Sequence, residues 1–199
     1  MTTETQAPQA AESCLGITPS QTIGPFFAYA LTPRAYGGAE LATEQVAPDG
    51  VAGERIRIEG VVYDGDGVPV GDAMIEIWQA DAQGRFDAAG NAGFTGFGRA
   101  EVTAEGAFHF ETIRPGAVPG PVGSSQAPHL CVSVFARGIL VRLATRIYFS
   151  DEPGNADDPV LALVPGDRRD TLIAKRGADG IFRFDIRLQG ESETVFFEA

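Results

Sequence analysis

Few residues of this 199-residue chain could carry out the chemistry of a metal or catalytic site. The candidates include two histidines, His109 and His129, and two cysteines, Cys14 and Cys131. Because a protein metal site commonly uses three or four side-chain ligands, this chain alone cannot build a histidine-rich site. His129 and Cys131 are two residues apart in a predicted strand, so their side chains share one face. They could bind a soft metal, but we favour a partly buried histidine beside a small core residue.

Short strands separated by turns must position these side chains. Glycine and proline are abundant, with 25 and 13 residues, which favours a turn-rich β architecture. Apolar and polar residues alternate with a period of two in RIRIEGVVYD, AMIEIWQA, AFHFETI, HLCVSVFAR, VRLATRIYF and IFRFDIRL. Hairpin turns are predicted at residues 64–67 and 105–106, and a short helix within 167–175. The sequence therefore predicts an all-β, antiparallel β-sandwich with long loops and a short helix.

We predict a single domain over residues 18–199, preceded by a mobile, polar arm at 1–17. Residues 18–53 are expected to be extended and irregular. The part TPSQTIGPFFAYAL is apolar and aromatic, so it should pack on the domain or on a partner.

The formal net charge of −12 argues against a protein that binds nucleic acid or anionic lipid surfaces. No apolar stretch approaches the roughly 20 residues of a membrane span, and the first residues have no signal-peptide core. Two cysteines are too few for a disulfide scaffold. These observations predict a soluble, cytoplasmic protein.

Several spaced segments together resemble the intradiol ring-cleavage dioxygenases over about residues 18–199. They are TPSQTIGPFF, GVVYDGDGVPVGDAMIEIWQADAQGRF, FTGFGRAEVTAEGAFHFETIRPG, APHLCVSVFARG, RIYF and FRFDIRLQGESETVFF. The resemblance implies a non-haem Fe³⁺ held by two tyrosinates and two histidines in the iron-holding chain, a catechol that chelates the metal, and O₂ that attacks the ring. Ferric iron is a hard cation that favours anionic oxygen ligands.

At the four positions where the resemblance places iron ligands, this chain has Phe86, Val118, His129 and Cys131. An arginine three residues before the first histidine is replaced by Gln126. The resemblance therefore implies the α chain of a heteromeric member, with Fe(III) bound by a homologous β chain and αβ units that assemble further. The implied reaction is cleavage of 3,4-dihydroxybenzoate by O₂ to 3-carboxy-cis,cis-muconate.

The same resemblance implies that an α chain completes the β chain's active site. The matching residues in this chain are Arg137 for substrate positioning and Thr22, Gly24, Pro25 and Phe26 for substrate binding. Arginine suits a planar carboxylate, and a chain of negative net charge needs such local positive charge to hold an anion. The alternatives are an ion pair of Arg137 within the chain and simple core packing of the N-terminal segment.

Two other functions remain open at this stage. An iron-free β-sandwich module for binding or assembly explains the missing ligands but not TPSQTIGPFF or FARG. A self-sufficient dioxygenase would need other ligands, yet the four tyrosines (Tyr29, Tyr36, Tyr63 and Tyr148) lie outside the ligand positions.

Overall fold

The computed structural model describes residues 27–86 and 93–198. The described part contains one short α-helix, α1 (Phe27–Leu31), and eleven strands. The strands are β1 (Arg55–Tyr63), β2 (Met74–Gln79), β3 (Phe97–Glu101), β4 (Ala107–Ile113), β5 (Val118–Pro119), β6 (Ser125–Gln126), β7 (His129–Phe135), β8 (Leu143–Phe149), β9 (Ile173–Arg176), β10 (Phe182–Arg183) and β11 (Ile186–Arg187). Short 3₁₀ helices lie at Pro33–Tyr36, Pro121–Gly123, Pro153–Asp157, Leu161–Leu163 and Arg169–Leu172.

Nine strands form one continuous sheet in the order β11-β1-β10-β9-β8-β7-β2-β3, with β4 also paired to β1. Strands β5 and β6 form a separate two-stranded ribbon. The expected all-β fold with a short helix is confirmed. The sheet is nevertheless mixed, because β1 pairs in parallel with β10 and β11, and β8 pairs in parallel with β9. Long connections make such parallel pairings possible, since a tight turn joins only antiparallel strands.

Alternation along the strands places one row of side chains in a common core. Ile58 of β1 and Phe110 of β4 are fully buried, and so are Leu130 and Val134 of β7. All four belong to one hydrophobic cluster, so the half of the sheet around β1 and β4 faces the half around β2, β7 and β8. The opposite row of β7, which includes His129 and Cys131, therefore lies on the outer face.

Both predicted turns form, but strands β2, β3 and β4 beside them pair with strands elsewhere in the chain. At the second turn the Thr103 amide donates to the Ala107 carbonyl at 2.9 Å, and Gly106 has a φ of +73°. Strand β3 nevertheless pairs with β2, while β4 pairs with β1. The turn at 64–67 closes a short antiparallel hairpin, because Tyr63 bridges to Pro69 and the Val70 amide donates to the Val62 carbonyl at 2.9 Å. Beyond it, β2 pairs with β3 and β7. The hairpin turn predicted at 64–67 is thus confirmed, whereas the predicted hairpin of β3 with β4 was wrong because core burial selects other partners for both strands.

Two helical segments differ in detail from the sequence prediction. Helix α1 and the 3₁₀ helix Pro33–Tyr36 lie within the N-terminal segment that was expected to be irregular. The helix expected within 167–175 is a single 3₁₀ turn, Arg169–Leu172, which leads directly into β9. The arm at 1–17 falls outside the described residues, and the domain boundaries stay a prediction. None of the helices in the described ranges is long and apolar enough to cross a membrane.

Candidate functional site

Arg137 lies just beyond the end of β7, and its side chain is 74% exposed. Its Nε donates to the carboxylate of Asp72, which precedes β2. Strands β2 and β7 are antiparallel neighbours, so the end of one lies beside the start of the other. The ion pair within the chain, foreseen as an alternative for Arg137, is therefore present. Within the described residues, the terminal amino groups of Arg137 have no hydrogen-bond partner.

A groove of about 320 Å³ joins this ion pair to the N-terminal segment. Arg137 and Asp72 line it together with Phe27 of α1 and Tyr36. Phe27 immediately follows the four predicted substrate-binding residues, Thr22, Gly24, Pro25 and Phe26, which lie outside the described residues. The structure therefore brings Arg137 beside the point where that segment enters the fold.

His129 begins β7 on the outer face of the sheet and is buried. Its Nδ1 lies 2.7 Å from the Ala127 carbonyl oxygen. Because a carbonyl only accepts, Nδ1 carries the proton and Nε2 keeps the free lone pair. Burial lowers the pKa of His129 below its ordinary value, although the bond to Ala127 opposes this effect. A buried, hydrogen-bonded neutral imidazole is the arrangement favoured from the sequence.

Cys131 shares this face and is half-buried. Its cross-strand neighbours are Trp78 of β2 and Arg146 of β8. Burial raises the pKa of the Cys131 thiol, while the charge of Arg146 acts in the opposite direction. Without a metal, the thiol therefore stays protonated near neutral pH.

Phe86 lies at the end of a tight loop that follows β2. Asp81 holds this loop, because its Oδ1 accepts from the amides of Gln83 and Arg85 at 2.8 and 3.0 Å. The Arg85 side chain also donates to Asp81 Oδ2 at 2.8 Å. The Phe86 ring is exposed and stacks parallel to Trp78, with ring centroids 6.3 Å apart.

Val118 is buried on the β5–β6 ribbon, directly opposite Gln126. Two contacts join its loop to the loop of Phe86. The Gly116 amide donates to the Asp81 carbonyl at 2.8 Å. Gly84, with a φ of +76°, approaches the Ala117 carbonyl so closely that a Cβ there would lie 1.9 Å from the oxygen. The two loops that carry Phe86 and Val118 are therefore packed against each other.

Comparison with known proteins identifies the family. Residues 24–190 match the family described as Dioxygenase. The protocatechuate 3,4-dioxygenase alpha chain of Burkholderia cepacia is 46% identical over 194 residues, covering 91% of this chain and 96% of that protein. The corresponding alpha chain of Pseudomonas putida is 46% identical over 193 residues, with coverage of 91% and 96%.

The chain belongs to the intradiol ring-cleavage dioxygenase family. The family also includes the protocatechuate 3,4-dioxygenase beta chain of Burkholderia cepacia, which is 37% identical over 158 residues, 71% of this chain and 67% of that protein. Alpha and beta chains are thus both relatives of this protein.

Solved structures of the family share this fold. The dioxygenase domain of a dioxygenase–carbohydrate-binding protein fusion from Streptomyces sp. SirexAA-E matches with a TM-score of 0.60 and 27% identity, covering 75% of this chain and 88% of that domain. Catechol 1,2-dioxygenase from Pseudomonas arvilla C-1 matches with a TM-score of 0.60 and 26% identity, covering 77% and 58%.

The intradiol family depends on iron, but the residues of this chain do not fit a ferric ion. Phe86 and Val118 offer no donor atom, and the Cys131 sulfur is a softer ligand than the anionic oxygens that ferric iron favours. This leaves His129 with one available nitrogen. Across residues 27–86 and 93–198, no group of three or more His, Cys, Asp or Glu side chains could hold a metal ion.

Tyr148 is the tyrosine nearest these positions, and its phenol is already engaged. The oxygen donates to Asp158 Oδ1 at 3.1 Å and accepts from Arg146 Nη1 at 3.3 Å. Burial raises the pKa of Tyr148 far above its ordinary value, so it stays a neutral phenol. An iron site rebuilt around this tyrosine, as a self-sufficient dioxygenase would need, is therefore disfavoured.

Sequence reasoning missed two residues of this region, Asp72 and Arg146. Asp72 follows a glycine before β2, which is typical of an ordinary turn residue. Arg146 occupies an alternating position in β8, and pairing β8 with β7 as neighbours would have placed it beside Cys131. Neither residue can be recognised as part of this region from its type alone, because its neighbours depend on the strand register.

Proposed function

We propose that this chain is the α subunit of a protocatechuate 3,4-dioxygenase, and that a homologous β chain holds the Fe(III). The proposal rests on two features that occur together in this chain. The ligand positions Phe86 and Val118 lack donor atoms, while Arg137 and the entry of the N-terminal segment share a groove. A chain of this kind contributes to a neighbour's site instead of forming its own. The two alpha-chain relatives support this assignment.

The proposed reaction cleaves the ring bond between the two hydroxylated carbons of 3,4-dihydroxybenzoate. Both atoms of O₂ enter the product, 3-carboxy-cis,cis-muconate, so the substrate and O₂ together account for every atom. Iron on the β chain supplies chelation of the two catechol oxygens and makes the ring reactive toward O₂. The residues of the α chain bind and orient the substrate.

Arg137 positions the carboxylate of the substrate in this proposal. The ion pair with Asp72 holds one side of the guanidinium, and its exposed terminal amino groups remain available for a carboxylate, directly or through water. Local positive charge matters here because the chain carries a formal net charge of −12 and repels anions at long range.

The segment with Thr22, Gly24, Pro25 and Phe26 is proposed to line the same shared pocket. Glycine permits close approach of the backbone, proline stiffens the segment, and phenylalanine can form a wall for a flat ring. Support comes from Phe27, the next residue, which lines the groove with Arg137. We further propose that αβ units assemble into a larger cytoplasmic enzyme.

Co-expression with a β chain that has both tyrosines and both histidines tests the assignment. The αβ complex should contain iron, show a visible tyrosinate-to-iron absorption band and cleave 3,4-dihydroxybenzoate. The α chain purified alone should show neither the band nor activity. Full activity in the lone chain would refute the subunit assignment. Failure to form a complex with any β chain would favour an iron-free binding module.

Substitution of Arg137 tests its role within that complex. Arg137→Ala should raise KM for 3,4-dihydroxybenzoate while the iron content stays unchanged. The matched control is Arg142→Ala, because Arg142 is also exposed and instead donates to Ser133 at 3.1 Å. An unchanged KM and kcat in Arg137→Ala would remove this residue from the shared pocket.

A further inference from the structure

Arg146 is a charged side chain that lies among the four degenerate ligand positions. In the ladder between β7 and β8 it is the direct cross-strand partner of Cys131. Its Nη1 donates to Gln126 Oε1 at 2.7 Å. Gln126 is in turn the ladder partner of Val118. The guanidinium thus connects the fourth position, Cys131, to the ribbon that carries the second, Val118.

The other two positions, His129 and Phe86, are linked to Arg146 through intervening residues. Nη1 of Arg146 also donates to the Tyr148 hydroxyl at 3.3 Å, and the Tyr148 ring lies 5.6 Å from the His129 ring. On its other side Cys131 pairs with Trp78, on which Phe86 stacks. All four positions are therefore linked to Arg146 through ladder partners, hydrogen bonds or ring contacts.

Among the described residues, no carboxylate forms a direct ion pair with Arg146. Its hydrogen-bond partners in the described part of the chain, Gln126 and Tyr148, are both neutral. The nearby Asp158 is fully buried, and it already accepts from three backbone amides and from the Tyr148 hydroxyl. The phenol of Tyr148 stands between this carboxylate and the guanidinium.

We propose that the Arg146 guanidinium takes the place of the metal cation in this chain, filling the degenerate site and keeping cations out of it. The inference rests on the family assignment of the four ligand positions, but not on catalysis by an αβ complex. Two physical effects act together. A fixed positive charge repels an incoming cation, and the planar group links Gln126 to Tyr148 across the space between the loops.

Zinc binding by the full chain tests the effect of charge, because Zn²⁺ can use an imidazole with a thiolate. Isothermal titration with Zn²⁺ should show at least ~10-fold tighter binding to Arg146→Gln than to the native chain. Arg146→Lys keeps the positive charge and should bind no more tightly than the native chain. The matched control is Arg142→Gln, which removes an exposed arginine that precedes β8 and donates to Ser133. Equal zinc affinity in Arg146→Gln and the native chain would overturn the proposal.

Restoration of the ligands tests the effect of occupancy in the presence and in the absence of Arg146. The triple variant Phe86→Tyr, Val118→Tyr, Cys131→His keeps Arg146 and should take up no iron. Adding Arg146→Gln to this triple variant should give bound iron and a visible tyrosinate-to-iron band. Iron uptake by the triple variant alone, or by neither variant, would refute the role of Arg146.

These measurements read metal binding by the isolated full chain, so they separate this inference from the proposed function. An αβ complex that failed to form would refute the subunit assignment while leaving the zinc and iron comparisons unaffected. Conversely, zinc affinity that did not depend on Arg146 would refute the inference while leaving an active complex intact.

Discussion

Arg137 and Asp72 form an ion pair across the neighbouring ends of β7 and β2, beside the groove that α1 enters. This contact fixes one side of an otherwise exposed guanidinium. An arginine that is held by one carboxylate can still present its free amino groups to a second carboxylate. The ion pair therefore agrees with a positioning role for Arg137 and assigns Asp72 the task of orienting it.

Loss of the Asp72 carboxylate should weaken substrate binding without abolishing it. In the proposed αβ complex, Asp72→Asn should raise KM by up to about fivefold, because an exposed ion pair contributes about 0.2–1 kcal/mol. Steady-state kinetics with 3,4-dihydroxybenzoate measures this change. The matched control is Asp179→Asn, which breaks the exposed ion pair with Arg183 away from the groove. A fall in KM, or an equal rise in the control, would contradict the prediction.

Packing of the two loops should make Gly84 intolerant of a side chain. Gly84 and Gly37 have the same φ of +76°, but a Cβ at Gly37 would meet nothing within 4 Å. Gly37→Ala should therefore cost only the left-handed backbone strain, about 1 kcal/mol. Gly84→Ala adds a collision with the Ala117 carbonyl and should cost about 1–3 kcal/mol more. Urea denaturation of both variants gives the difference, and equal losses would show that the loops yield freely.

His129 should make the stability of the chain depend on pH. Burial lowers its folded-state pKa below the ordinary value of 6.5, so the unfolded chain takes up this proton first as pH falls. The stabilising contribution is complete above about pH 6.5 and is lost as pH falls toward the folded-state pKa. Free energies of unfolding measured between about pH 5 and 8 should reveal this slope. The non-titrating His129→Asn should flatten it, and an unchanged slope would exclude His129 as its source.

Arg114 should contribute more to stability than Arg176, although both pair with Asp151. The Arg114 side chain is only 15% exposed, bonds Asp151 and Glu152, and lies over the Phe149 ring at 4.8 Å. Despite the opposing effect of burial, its bonds help to hold the pKa of Asp151 below the ordinary value. Arg114→Ala should cost about 2–3 kcal/mol, less than for a fully buried pair because the Asp151 side chain is 31% exposed.

The matched control for this comparison is Arg176→Ala. Arg176 is 43% exposed, so its loss should cost at most about 1 kcal/mol. Thermal and urea unfolding of both variants measure the contrast. Equal destabilisation would show that burial does not separate the two ion pairs.

The sequence by itself determined the long strands β1, β2, β4, β7 and β8, the family and the loss of the ligands, but not β5, β6 or β9. Alternation in HLCVSVFAR correctly predicts a strand, but Cys131, expected to be a small core residue, is half-buried on the face opposite buried Leu130. The absence of donor atoms at Phe86 and Val118 is likewise a property of residue type. The roles of Thr22, Gly24, Pro25 and Phe26 stay predictions.

Only the tertiary structure decided which residues stand beside these positions. The approach of Arg146 to Cys131 depends on the β7–β8 register, and the pairing of Arg137 with Asp72 depends on β2 lying next to β7. Local turns at 64–67 and 103–107 did not set these partners, because strand order follows from burying the core between residues far apart in the chain. The residue types thus show which ligand atoms this site lacks. Long-range packing places Arg146 beside the ligand positions.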